Sequence, residues 1–124
     1  MNLAKSWPML LALVSFSVHG ADTKSLEARY QKSISTPHGQ EYEMKAVQAF
    51  WGDASFMREC APPNTPIAEP LTIYFEVKPD GGMGQLVLNP ETKVATCIAR
   101  HVKNRRFPKP PFDYVVKIDL NFTK

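Results

Sequence analysis

The residues of this chain predict an α+β fold: a three-stranded antiparallel sheet in β-β-α-β order packed on a helix, preceded by N-terminal helices. Three observations carry that expectation. Residues 71–78 (LTIYFEVK) alternate, with Leu71, Ile73, Phe75 and Val77 on one side and Thr72, Tyr74, Glu76 and Lys78 on the other. Residues 114–122 form the longest alternating run, with Tyr114, Val116, Ile118, Leu120 and Phe122 against Val115, Lys117, Asp119 and Asn121. Between them, Val94, Cys97, Ile98, His101 and Val102 recur at helical spacing within residues 92–104.

The remaining elements follow in order. Leu26, Tyr30 and Ile34 stand four apart in a polar stretch, the pattern of a short surface helix with Asp22 or Thr23 as its cap. Thr36-Pro37-His38-Gly39 reads as a break. Residues 41–50 resume helical spacing, with Met44, Val47 and Trp51 as a stripe and Ala46 and Phe50 beside it. Gly52-Asp53 interrupts, and Asp53 is placed to cap a further turn through Cys60. Residues 61–66 (APPNTP) read as a linker, because proline suits neither helix interior nor central strand. Pro79-Asp80-Gly81-Gly82 marks a turn, and residues 84–88 a second strand, which makes a hairpin. After the helix, residues 105–112 (RRFPKPPF) stiffen the return to the sheet, with Phe107 and Phe112 as anchors at its two ends. A sheet of this pattern is expected to be wet on one side, with the helix on the other.

Residues 1–20 read as a cleavable export signal. Lys5 supplies the positive start, residues 7–18 an apolar core too short to span a bilayer, and Gly20-Ala21 the cleavage point. This leaves residues 21–66 as a helical segment with a Pro-rich linker and residues 67–124 as the α+β domain. The 104 residues from Ala21 onward carry 14 basic and 12 acidic side chains, too even a balance to argue for nucleic acid. No stable membrane anchor is expected. Cys60 and Cys97 are the only cysteines, and in an exported chain such a pair is read as a disulfide; a redox or metal pair is the alternative.

Catalytic chemistry finds little support. His38 reads as a turn residue and His101 as a packed or capping residue, and neither is read as a partner of a cysteine. Glu41 and Glu43 suit the start of a helix. Residues 81–84 (GGMG) lack the Lys-Ser/Thr of a phosphate loop. Asn121-Phe122-Thr123 fits a glycosylation pattern but falls in an expected strand. No cofactor, metal or enzymatic activity is expected.

The strand at residues 71–77, the Pro79-Asp80-Gly81 turn, Cys97-Ile98 in the next helix, Phe107-Pro108-Lys109-Pro110-Pro111 and the closing strand to Leu120-Asn121-Phe122 together resemble the C-terminal domain of the TonB and TolA family of periplasmic energy-coupling proteins. The resemblance covers about half of the exported part. It implies a periplasmic, non-enzymatic module that docks partners through the last strand. The partner would be a cell-envelope protein: an outer-membrane receptor, or a Tol-like or secretion component. The implied docking edge is Tyr114, Val115, Val116, Lys117, Ile118, Asp119, Leu120, Asn121 and Phe122. The chain departs from the family in having only about fifty residues between its apolar start and the first strand. The alternative reading is a periplasmic inhibitor or immunity protein against a toxin or cell-wall hydrolase, acting through the turn at residues 79–84.

Overall fold

The computed structural model describes residues 18–62 and 70–120. Residues 1–17 of the expected export signal, residues 63–69 of the linker, and Asn121 and Phe122 of the expected edge lie outside the described residues. Among the described residues, four helices and three strands follow in order: α1 (Val18–Ser33), α2 (Pro37–Trp51), α3 (Phe56–Cys60), β1 (Leu71–Val77), β2 (Met83–Asn89), α4 (Lys93–Val102) and β3 (Tyr114–Leu120). The sheet is antiparallel with order β2-β1-β3, so the first strand is central and the last lies at an edge.

The alternation in β1 and β3 places Leu71, Ile73, Phe75, Val77, Tyr114, Val116, Ile118 and Leu120 on one buried face. Helices α2, α3 and α4 close that face with Tyr42, Ala46, Phe50, Phe56, Ala95, Ile98 and Val102. The segments before and after the Pro-rich linker therefore contribute to one core. Phe50 lies against Phe75 with ring centroids 5.9 Å apart, and Phe107 meets Phe75 at 5.0 Å. Cys60 and Cys97 form a disulfide, Cα–Cα 5.4 Å, that ties α3 to α4.

The other face is wet only in part, with Gln85, Asn89 and Asp119 exposed on it. Helix α1 lies across it, with Leu26 buried and Tyr30 half-buried against Tyr74, Val115 and Val87. This departs from the one-sided sheet the alternation predicts. α1 is polar around most of its circumference, so its docking depends on pairing as much as on apolar burial. Glu27 accepts hydrogen bonds from Tyr74 Oη at 2.6 Å and Lys117 Nζ at 2.8 Å. Arg29 bridges Glu76 at 2.7 Å and Asp113 at 3.1 Å. Tyr74 is thus covered by an N-terminal helix and does not face solvent.

Helix α2 begins earlier than expected. Thr36 is its N-cap, its hydroxyl accepting from Gly39 N at 3.0 Å, and Pro37 takes the first helical position. Its buried stripe is Gly39, Tyr42, Ala46 and Phe50, which corrects the expected one; Met44 is 68% exposed. Gly39 has no room for a side chain, because a Cβ there would fall on the Ser33 carbonyl.

The proline-rich crossover is pinned at Phe107, which is buried, while Phe112 is exposed and only leans on the Tyr114 ring at 5.6 Å. The hairpin turn is strapped to this crossover. Phe107 N donates to Gly81 O at 2.8 Å, and Arg106 donates to Asp80 O at 2.8 Å. Gly81 sits at φ +91, where a side chain would be strained and would strike the Phe107 carbonyl.

Candidate functional site: the β3 edge

β3 spends one side of its backbone on β1, with Tyr114 opposite Val77, Val116 opposite Phe75, Ile118 opposite Ile73 and Leu120 opposite Leu71. In an antiparallel pair, alternate residues turn their N–H and C=O away from the partner strand. Val115 N donates outward to Ser33 Oγ at 3.2 Å, which sets the phase. The outward residues are therefore Val115, Lys117 and Asp119, and a strand added to this edge would pair with them.

Two of these three positions are already taken. Ser33, buried at the end of α1, accepts from Val115 N and donates a hydrogen bond to Arg29 O at 2.9 Å. The Glu43 carboxylate, from α2, accepts the backbone N–H of Lys117. Asp119 has no backbone partner on its outward side among the described residues; its side chain accepts from Thr72 Oγ1 at 2.9 Å. Among the described residues, the open position of the edge is therefore Asp119. Among the expected docking residues, Tyr114, Val115, Val116, Ile118 and Leu120 bury their side chains, Lys117 is half-buried and Asp119 is exposed.

Glu43 also meets the Tyr114 hydroxyl. Burial pushes its carboxyl up to about 7, against hydrogen bonds from Tyr114 and the Lys117 backbone that pull it down. The geometry gives an independent reason. Tyr114 Oη lies 2.6 Å from Gly39 O and 3.0 Å from Glu43 Oε1, two acceptors for one hydroxyl proton. A protonated Glu43 resolves this by donating to Tyr114, which then donates to Gly39.

Lys117 points its side chain away from this cluster, over the rings of Tyr30 at 5.5 Å and Tyr74 at 5.8 Å. It ends on Glu27. Burial raises the Glu27 carboxyl, but hydrogen bonds from Lys117, Tyr74 and Gln31 outweigh it and hold the group down at about 2. This pairing clamps α1 to β3.

The sheet's opposite edge is β2. By the same alternation Leu86 and Leu88 turn their backbones outward there, with half-buried side chains. No helix among the described residues is long and apolar enough to cross a membrane.

Sequence reasoning did not find Ser33 or Glu43 as edge-closing residues. Both act on a strand more than seventy positions away, and no local signal marks them. It also passed over the link between His101 and the cysteines. His101 follows Cys97 by four positions, one turn of the same helix, and that spacing was legible.

A scan of protein-family models, a search of curated proteins and a search of solved structures each found no match to this chain.

Proposed function

We propose that this chain is a non-enzymatic periplasmic binding module, similar to the C-terminal domains of TonB and TolA, that docks a cell-envelope protein by strand addition at the β3 edge. One observation carries the reading: β3 is an edge strand whose outward backbone is closed by α1 and α2 at Val115 and Lys117 but, among the described residues, open at Asp119. Unpaired strand edges are usually covered or charged, because they template further pairing. Here two outward positions are covered, and the third has no cover among the described residues. The β-β-α-β order agrees with the resemblance, although a fold by itself assigns no function. The inhibitor reading gains nothing from the 79–84 turn, which is strapped to Phe107 and Arg106 and does not protrude freely.

The test is Asp119→Pro. Its N–H serves no ladder bond to β1, so proline is tolerated by the fold there, but it removes the outward donor a partner strand needs. Partner affinity is expected to fall at least about tenfold, the equivalent of about 1.4 kcal/mol for one lost backbone hydrogen bond. Unchanged affinity in a folded Asp119→Pro chain would sink the edge-docking proposal.

A further inference from the structure

The disulfide corner between α3 and α4 brings together more chemistry than a covalent link requires. Cys60 Sγ, Cys97 Sγ and a ring nitrogen of His101 all lie within 4.8 Å of one another. Cys97 and His101 stand one turn apart on α4, and Cys60 closes α3 beside them. The imidazole is oriented by two further contacts. It stacks on Phe56, centroids 5.9 Å apart and 25° between planes, and its Nε2 lies 2.8 Å from Glu59 Oε2. Cys60 is buried, Cys97 half-buried and His101 exposed, so the corner opens to solvent on one side.

We propose that reduction of the Cys60–Cys97 bond turns this corner into a three-ligand site for zinc, held by the two thiolates and the His101 imidazole. Two sulfurs and one imidazole nitrogen form a donor set that suits zinc. With Zn–S bonds of about 2.3 Å at a tetrahedral angle, the sulfurs would stand about 3.8 Å apart. Rotation about the cysteine side-chain bonds supplies that separation without moving the two helices. Glu59, paired with His101, plays the part of the carboxylate that commonly orients a metal-bound histidine. The fourth position faces solvent and is left for water or another small ligand.

The oxidised chain cannot offer this site, because neither sulfur is a thiolate. An external dithiol opens the bond by exchange: two electrons pass to the protein disulfide, two protein thiols form, and the dithiol closes to its own disulfide. Zinc then displaces the two thiol protons to solvent and takes both sulfurs as thiolates. The metal would replace the covalent tie between α3 and α4, so the corner stays linked in either redox state. This inference does not depend on the docking proposal.

The experiment reduces the full chain with a phosphine, removes the reductant without oxygen, and titrates cobalt(II) and then zinc. The expected result is one equivalent of cobalt with tetrahedral ligand-field bands and thiolate charge-transfer absorption, displaced by one equivalent of zinc. Zinc should also raise the unfolding temperature of the reduced chain, or refold it if reduction has loosened it. His101→Ala should weaken zinc at least about tenfold, and Glu59→Gln about tenfold, the scale of losing an orienting partner. The oxidised variants, compared for unfolding temperature, show whether either substitution damages the fold. Three outcomes overturn the proposal: no stoichiometric binding, equal affinity in a folded His101→Ala chain, or metal bound by a reduced chain that neither folds nor gains stability.

Discussion

Replacing Ser33 with alanine isolates the contact by which α1 closes the β3 edge. Ser33 is 2% exposed, and its hydroxyl is the acceptor for the N–H of Val115, itself fully buried. Alanine keeps the helix and nearly the same volume but leaves that N–H without a partner. A buried unsatisfied donor costs about 1–3 kcal/mol. The change also gains helix propensity, at most about 0.5 kcal/mol and less at the last residue of a helix. The net expectation is a loss of about 1.5 kcal/mol. For a domain of this size, that lowers Tm by roughly 6–12 °C. Thermal unfolding followed by circular dichroism measures it, and amide hydrogen exchange should show Val115 exchanging faster than in the parent chain. A Ser33→Ala chain with unchanged Tm and unchanged Val115 protection would refute the reasoning, since α1 would then not be closing the edge through this residue.

The other predictions concern the covalent tie and the buried acid. Replacing both Cys60 and Cys97 with serine removes a link spanning a sequence separation of 37, and the chain-entropy model puts the loss at about 4 kcal/mol; denaturant unfolding should show it, and a loss below about 1 kcal/mol would mean that α3 and α4 hold together without the tie. Glu43 gives a pH signature. Its folded carboxyl, raised to about 7 from an ordinary 4.5, binds a proton that the unfolded chain has already released across that interval. Its contribution to stability is therefore full below about pH 4.5 and is lost as pH rises to about 7. Glu43→Gln should flatten the stability profile between those limits and be the more stable form at pH 8; parallel profiles for the two chains would contradict it. Glu27 has the opposite sign, because its pairing with Lys117 and Tyr74 holds it at about 2. Its stabilisation is present above about pH 4.5 and is lost as pH falls toward 2, so Glu27→Gln should lower stability at pH 7 and converge on the parent chain in strong acid.

The strands were legible because a period of two needs no partner to be seen. Leu71 to Val77 and Tyr114 to Leu120 declare their buried faces in their own letters, and the Pro79-Asp80-Gly81 turn between strands declares the hairpin. The cover on the second face was not legible. α1 contributes few apolar side chains, and what docks it, Glu27 to Lys117 and Arg29 to Glu76, joins residues far apart in sequence. Reading β3 as an exposed edge was accordingly too generous at Val115 and Lys117, where Ser33 and Glu43 already accept the outward N–H groups. The phase of α2 went astray for a related reason. Tyr42 looks like a surface residue until Pro108 O accepts its hydroxyl at 2.6 Å and the Tyr114 ring meets it at 4.6 Å. One sign was present and overlooked, since Thr36 before Pro37 is a helix start as readily as a break; Cys97 and His101 were placed on one helix face but not read together.

Hydrogen exchange of the oxidised chain, free and bound to an envelope protein captured with it, tests the central claim most directly. Strand addition at β3 predicts new protection beginning at the Asp119 amide and continuing toward the C-terminus, with Leu86 and Leu88 on the β2 edge unchanged. Protection confined to β2, or a bound complex that protects no strand amide, would contradict it.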